Sequence, residues 1–153
     1  MYNVIMKADN LHHLVWMSRP LMQAAEVCVE AGLEGTGLTV RMRAVLEILH
    51  RHGAQTVPDI ANKLEINRQY VQVMCNEVLA AGFVEQRENP RHKRSTLLTL
   101  TDTGRDLIKE IISREMMLLD EIGSALQADD ISKALEVVLA VTNLLKKTAG
   151  ERK

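Results

Sequence analysis

The segment from Gln86 to Gly104 constrains the fold most, because it predicts two short strands joined by a basic turn. Its sequence is QRENPRHKRSTLLTLTDTG, in which Asn89-Pro90 is typical of a turn. A β-branched and leucine-rich strand follows over 96–100. Immediately before this segment, residues 56–81 predict two short helices with a tight turn between them. A helix-turn-helix followed by a basic hairpin is a winged helix, whose usual partner is duplex DNA.

Apolar residues at three- and four-residue steps predict further helices on both sides of this module. The first runs over about 8–33, and the second ends at Gly53. After the hairpin, one helix is predicted from about Asp102 to Gly123 and a last one from Asp129 or Asp130. Four predicted helix starts carry side chains that accept a hydrogen bond from a free helix amide: Thr39, Thr56, Asn67 and Thr101. The prediction is therefore a mainly α fold with a small β-hairpin wing.

The domain prediction is a single domain over residues 1–153. In it, a winged helix-turn-helix domain over 38–105 is flanked by dimerisation helices over 1–34 and 106–153. The first helix and the last two carry wide apolar stripes, which so small a module cannot cover. We expect a second copy of the chain to bury these stripes in a homodimer. The alternative is a monomer whose terminal helices fold back on the module.

The composition limits the class of protein. Apolar residues make up 46% of the chain, which is enough for a packed core and too many for a disordered chain. No run approaches the ~18 apolar residues that a membrane-spanning helix needs, and no secretory signal is recognisable. We therefore expect a cytoplasmic protein without a membrane partner. The net charge of −1 conceals a basic module, since residues 38–105 hold ten Lys or Arg and seven Asp or Glu.

The second helix of the predicted helix-turn-helix carries side chains suited to reading base pairs. In the major groove, Asn and Gln can bond adenine, Arg can bond guanine, and an apolar side chain can touch the thymine methyl. Tyr70 is an alternative to Val73 for the methyl contact. The predicted DNA-binding residues of this recognition helix are Asn67, Arg68, Gln69, Gln72, Val73 and Asn76. The alternative interpretation is an ordinary helix surface.

The wing carries four basic side chains. Arg94 is the first candidate for the minor groove, because a planar guanidinium on a narrow hairpin fits a narrow A·T-rich groove of strongly negative potential. Arg87, Arg91 and Lys93 are expected to neutralise phosphates nearby. The alternative is a solvated basic turn with no partner, and the adjacent helix-turn-helix favours the DNA-binding interpretation.

Five short patterns together resemble the MarR family of bacterial transcription regulators. They are Leu38-Thr39, Thr56-x-x-Asp59-Ile60-Ala61-x-x-Leu64, Gly82-Phe83-Val84-Glu85, Asn89-Pro90-x-x-x-Arg94 and Leu100-Thr101-x-x-Gly104. The match in motif covers roughly residues 38–107. The resemblance implies a homodimer that presents two winged helices to a pseudo-palindromic operator. It also implies, commonly, repression that is relieved by a small aromatic or phenolic ligand or by oxidation.

The chain departs from this family's pattern at three positions. His92 stands where the family usually has an Asp that helps to hold the wing arginine. Gln86 stands where family members often have Arg, with Arg87 next to it. Glu65 stands in the helix-turn-helix turn, where a glycine is frequent.

The resemblance also implies an effector pocket between the dimerisation helices and the DNA-binding lobe. Four residues of the first helix are candidates for its wall: His12, His13, Trp16 and Met17. The alternative is an interface aromatic residue accompanied by solvated histidines.

No pattern in the sequence predicts catalysis or a cofactor. We find no nucleophile–base set, no phosphate-binding glycine loop and no metal ligands at zinc spacing, so the prediction is a non-enzyme without a metal. Cys28 and Cys75 are both predicted to be buried, whereas a redox sensor needs an exposed thiol. Two alternatives to a ligand-controlled DNA-binding regulator are a protein-interaction module that binds no DNA and a thiol-based redox-sensing regulator.

Overall fold

The structure, a computed structural model, describes residues 2–90, 92 and 94–150. The predicted wing contacts Arg91 and Lys93 lie outside these described residues. The described part of the chain contains six helices and two strands. In chain order they are α1 (Tyr2–Leu33), α2 (Val40–His52), α3 (Val57–Leu64), α4 (Arg68–Ala80), β1 (Val84–Glu88), β2 (Thr96–Leu100), α5 (Asp102–Gly123) and α6 (Ala128–Gly150). The predicted fold class, mainly helical with a β-hairpin wing, is confirmed.

The chain divides into two compact units, one up to Ser113 and one from Arg114 onward. The first unit contains α1 to α4, the hairpin and the first half of α5. Its core is built from aliphatic residues that are almost fully buried: Val45, Leu46, Ile60, Val71, Val78 and Ile108. The second unit contains the rest of α5 and α6, and α6 has no buried residue in the single chain.

The helix starts are fixed by side chains, as the sequence predicts. The Thr39 hydroxyl accepts a hydrogen bond from the Met42 amide, and the Asn67 carbonyl oxygen accepts one from the Gln69 amide at 2.7 Å. Thr56 and Asp59 form a capping box, in which each side chain accepts from the other's backbone amide. These caps fix the residues at which α3 and α4 begin. They therefore also fix which side chains lie in the first turn of the recognition helix α4.

The hairpin is antiparallel, and its register pairs Val84 with Leu100 and Glu88 with Thr96. β1 runs from Val84 to Glu88 and so includes Arg87, one of the basic residues assigned to the wing. Outside the two strands, Gln55 forms a bridge to Leu98 through two backbone hydrogen bonds of 3.1 and 2.8 Å. This bridge attaches the wing to the residue that immediately precedes the capping box of α3.

The base of the wing is also attached to the start of α5. The Thr101 amide donates to the Phe83 carbonyl at 3.1 Å, and the Thr101 hydroxyl donates to the Gly82 carbonyl at 2.9 Å. The same hydroxyl accepts from the Gly104 amide at 3.1 Å. A Cβ on Gly104 would lie 2.0 Å from the Phe83 carbonyl oxygen, so only glycine allows this close approach.

The turn between α3 and α4 contains a strained residue. Glu65 has φ 55° and ψ 37°, the left-handed region that disfavours residues with a Cβ. Glu65→Gly is expected to be more stable than Glu65→Ala by roughly 0.5–1 kcal/mol, because both lose the same side chain but only glycine relieves the backbone. Urea unfolding measures this difference. The control is the pair Asn62→Gly and Asn62→Ala. Asn62 is exposed inside α3, so the alanine variant should be the more stable one there. If the glycine variant were the more stable one at both positions, or the alanine variant at both, backbone strain at Glu65 would be contradicted.

Several long helices leave apolar side chains exposed in the single chain. On α1 these include Trp16, Leu21 and Met22, and on α6 they include Leu135 and Leu144. The predicted burial of Cys28 concerns the apolar stripe of α1 that a second copy would cover, and in the single chain Cys28 is exposed. The reason is that α1 contributes only its C-terminal end to the core, where Leu33 is buried. None of the helices in the described ranges is long and apolar enough to cross a membrane.

Candidate nucleic-acid interface

One side of the recognition helix α4 is buried in the core, and the other side is exposed to solvent. Val71, Met74, Cys75 and Val78 are buried, which fixes the rotation of the helix about its axis. The polar residues on the other side are all exposed and lie within an arc of about 100°: Arg68, Gln69, Gln72 and Asn76. Val73 and Tyr70 are exposed beside this arc. The predicted reading face is therefore a real surface of the folded chain.

Two amide side chains of this face are coupled. The Gln72 side-chain amide donates to the Asn76 carbonyl oxygen at 3.0 Å, one helical turn further on. Each amide keeps further donor or acceptor atoms for a base edge. The bond limits the rotamers of both side chains, so they form one prearranged polar patch.

The wing and the recognition helix face each other across a shared cleft. Arg68 and Gln72 of α4 line it from one side, and Gln86, Arg94 and Thr96 line it from the wing. Thr56, which caps α3, lies at the same cleft. The arrangement brings Arg94, Arg68 and the Gln72 amide to the same cleft, as a DNA reader requires.

Neighbouring wing residues point to opposite faces, because side chains alternate along a strand. Gln86 pairs with the buried Leu98 and lies at the cleft, whereas Arg87 pairs with Leu97 one residue further on. Arg87 thus belongs to the outer face of the hairpin, together with Glu85. Its guanidinium donates from Nε and Nη2 to Glu85 Oε1 at 2.9 and 2.7 Å.

A second ion pair connects the recognition helix α4 to α2, on the flank of α4 that does not line the cleft. Arg41 donates from Nε to Glu77 Oε2 at 2.8 Å, and its Nη2 lies 2.7 Å from Glu77 Oε1. This two-point geometry fixes orientation better than a single contact does. Neither residue was predicted from the sequence, since they are 36 positions apart and no local pattern connects them. The pairing of Glu85 with Arg87 was not predicted either, although residues two positions apart on a strand lie on the same face.

Comparison with known proteins identifies the chain. The family model described as MarR family matches residues 36–95. A crystal structure of the MarR family transcription regulator SP03579 is 33% identical and superposes with a TM-score of 0.87, covering 95% of this chain and 96% of that one. The chain belongs to the MarR family. It is accordingly a transcription regulator with the winged-helix fold, and its family and fold are not those of an enzyme.

Other relatives of this MarR-family chain are more distant or match only part of it. An uncharacterized protein of Mycobacterium tuberculosis is 38% identical over 72 residues, and this match spans 47% of the chain and about half the length of that relative, 50%. The repressor MdtR of Bacillus subtilis is 24% identical over 131 residues, which cover 85% of this chain and 84% of MdtR. FabT of Streptococcus pneumoniae, whose structure is a complex with DNA, shares the fold with a TM-score of 0.77 at 13% identity, over 90% of this chain and 99% of FabT.

The wing of this MarR-family chain closes its tip without the usual Asp. The His92 amide donates to the Asn89 carbonyl at 3.1 Å, and the Ser95 amide donates to the His92 carbonyl at 2.9 Å. The Asn89 side-chain amide donates to the Ser95 hydroxyl at 2.7 Å. The turn is thus held by backbone bonds and by Asn89, and the exposed His92 ring has no part in these three contacts.

The residues predicted for an effector pocket lie on the exposed surface of α1. The Trp16 indole N–H donates to His12 Nε2 at 2.8 Å, one turn away, and Trp16 is 61% exposed. Met17 and His13 are exposed too. The described part of the single chain does not enclose these four residues in a cavity, so their role stays a prediction.

The two cysteines of this regulator differ. Cys75 is buried in the core under the recognition helix, as predicted, and this burial raises the pKa of its thiol to about 11. The nucleophilic thiolate is therefore scarce at neutral pH. Among the described residues, no group of three His, Cys, Asp or Glu side chains is placed to hold a metal ion.

Proposed function

We propose that this chain binds duplex DNA sequence-specifically and represses transcription as a homodimer in the cytoplasm. The observation that carries the proposal is the cleft in which Arg68 and Gln72 of α4 face Arg94 of the wing. In this proposal α4 enters the major groove, where Gln72, Asn76, Gln69 and Arg68 meet base edges. Val73 meets a thymine methyl group, Asn67 lies near a phosphate at the start of α4, and Arg94 enters the adjacent minor groove.

The charge state of the cleft supports this orientation. Within the described residues, neither Arg68 nor Arg94 is paired with a carboxylate. Arg41 and Arg87, which lie outside the cleft, are each paired with a glutamate. Unpaired guanidinium groups at a cleft keep all their donors for phosphates and base edges.

The exposed apolar side chains of α1, α5 and α6 support the homodimer. Exposed apolar residues in such number are unusual for a monomer and typical of an interface between chains. A two-fold dimer would present two copies of α4 to half-sites one helical turn of DNA apart, roughly 34–36 Å.

The family resemblance and the exposed side chains of α1 support control by a small aromatic ligand. We propose that the ligand binds near Trp16 and His12, where a second chain would enclose side chains that are open to solvent in one chain. Such a ligand releases DNA only if it binds the DNA-free arrangement of the dimer more tightly than the bound one. The relative MdtR, named a repressor, is consistent with repression as the output.

The test is selection of bound duplexes from a random library with the purified chain, followed by affinity measurements across salt concentrations. We expect one enriched pseudo-palindrome and a log–log salt slope of several units, because each neutralised phosphate contributes about −0.9. Sedimentation of the free protein should give the mass of two chains. A folded sample that binds no duplex in a salt-dependent way would contradict the proposal.

A further inference from the structure

The wing contains a cation that is already bound to a carboxylate. Both Nε and Nη2 of Arg87 donate to the same oxygen of Glu85, at 2.9 and 2.7 Å. The two residues are two positions apart on β1, so they share its outer face, next to Thr99 and Leu97 of β2. The Arg87 side chain is 66% exposed and the Glu85 side chain 46%. Solvent therefore reaches the ion pair, and Arg87 can leave Glu85 for another anion.

We propose that Glu85 limits the DNA affinity of the wing by holding the Arg87 guanidinium away from the phosphates. The inference rests on the proposed function, because it concerns DNA binding by the same wing. A carboxylate and a phosphate are both oxyanions that accept the same forked pair of N–H donors. The Nε–Nη2 edge of Arg87 can therefore bind a phosphate only by leaving Glu85, so the two acceptors compete for this edge.

Arg87 and Arg94 lie on the same hairpin but differ in their partners. Arg94 has no carboxylate partner among the residues that the structure describes, whereas Arg87 is neutralised on the other face of the same hairpin. Phosphate contacts carry no sequence information, and they supply most of the non-specific affinity for DNA. Among the described wing residues, the groove contact of Arg94 is therefore not accompanied by a sequence-independent phosphate contact from Arg87.

The prediction is that Glu85→Gln, which removes the competing charge, raises affinity about three- to tenfold for the selected duplex and for an unrelated duplex alike. The log–log salt slope should steepen by about 0.9 for each wing that gains a phosphate contact. In the Arg87→Gln background, Glu85→Gln should bring less than a twofold gain. Arg87→Gln alone should change affinity little, because Glu85 already occupies the guanidinium.

Glu88→Gln is the matched control. Glu88 is exposed on the same strand, next to Arg87 but on the opposite face, and it forms no ion pair with the described residues. The substitution removes the same charge near the DNA without releasing Arg87. It should therefore give a smaller gain than Glu85→Gln, and this gain should be the same with and without Arg87.

The outcomes separate this inference from the proposed function. If the unmodified chain binds no duplex, the proposed function fails and the role of Glu85 fails with it. If the unmodified chain binds, three results would overturn the role of Glu85 alone. They are no gain on Glu85→Gln, the same gain on Glu88→Gln, and a gain that persists in full after Arg87→Gln. Equal thermal unfolding of the variants would show that these changes do not reflect lost folding.

Discussion

Arg94→Ala is expected to weaken binding to the selected duplex at least tenfold, which corresponds to about 1.4 kcal/mol. Arg94 forms no ion pair with the described part of the chain, and it faces Arg68 and Gln72 across the cleft. Its removal deletes a cation from the place where the minor groove would lie, once in each chain of a dimer. Fluorescence anisotropy with a labelled duplex at two or more salt concentrations measures the loss.

Two other variants show whether the position or only the charge matters. Arg94→Lys keeps the charge but loses the planar fork, so it should recover part of the affinity and little of the preference for A·T pairs. Arg87→Ala removes an arginine that is already paired, and it should cost much less than Arg94→Ala. Equal losses for Arg87→Ala and Arg94→Ala would contradict the assignment of Arg94 to the groove. Sedimentation should show that all three variants keep the oligomeric state of the unmodified chain.

Gly104→Ala is expected to destabilise the fold by about 1–3 kcal/mol or more, the range seen when extra atoms are forced into a packed site. The new Cβ would lie 2.0 Å from the carbonyl oxygen and 2.8 Å from the carbonyl carbon of Phe83. Both are backbone atoms, so no side-chain rotation can relieve the overlap. The same carbonyl accepts the Thr101 amide, and its displacement would also break the attachment of the wing to α5.

Gly123→Ala is the matched control for this prediction, because it makes the same substitution in the same helix. A Cβ on Gly123 would meet no atom within 4 Å, so we expect a neutral or slightly stabilising effect. Urea unfolding followed by circular dichroism compares the two variants. Equal stability of Gly104→Ala and Gly123→Ala would show that the approach of Phe83 to Gly104 is not tight. DNA binding by folded Gly104→Ala should fall too, since the wing moves relative to α4.

The sequence was sufficient where structure is decided by near neighbours. The hydrogen bonds of Thr39, Thr56 and Asn67 connect residues two or three positions apart, so the helix starts could be read directly. The buried face of α4 follows from helical periodicity, and with it the exposure of Gln72 and Asn76. The patterns that resemble the MarR family correctly predicted the family and the fold.

The sequence was not sufficient where distant segments meet. The pattern from Leu100 to Gly104 carried the resemblance, but the need for glycine became clear only from the position of Phe83 against α5. Cys28 lies on the apolar stripe of α1 and is exposed in the single chain, because an apolar stripe does not say whether its own chain or a partner covers it.

The sequence by itself determined the order of the elements, the helix starts and the set of polar side chains that α4 presents. Only the tertiary structure decided which arginine side chains near that surface are paired with a glutamate and which remain available to bind DNA. A shift of one residue along a strand moves a side chain to the other face, so Gln86 lies at the cleft while Arg87 lies beside Glu85. The pairing of Arg41 with Glu77 likewise depends on how α2 packs against α4, because charges far apart in the chain become partners only after the core has brought their helices together.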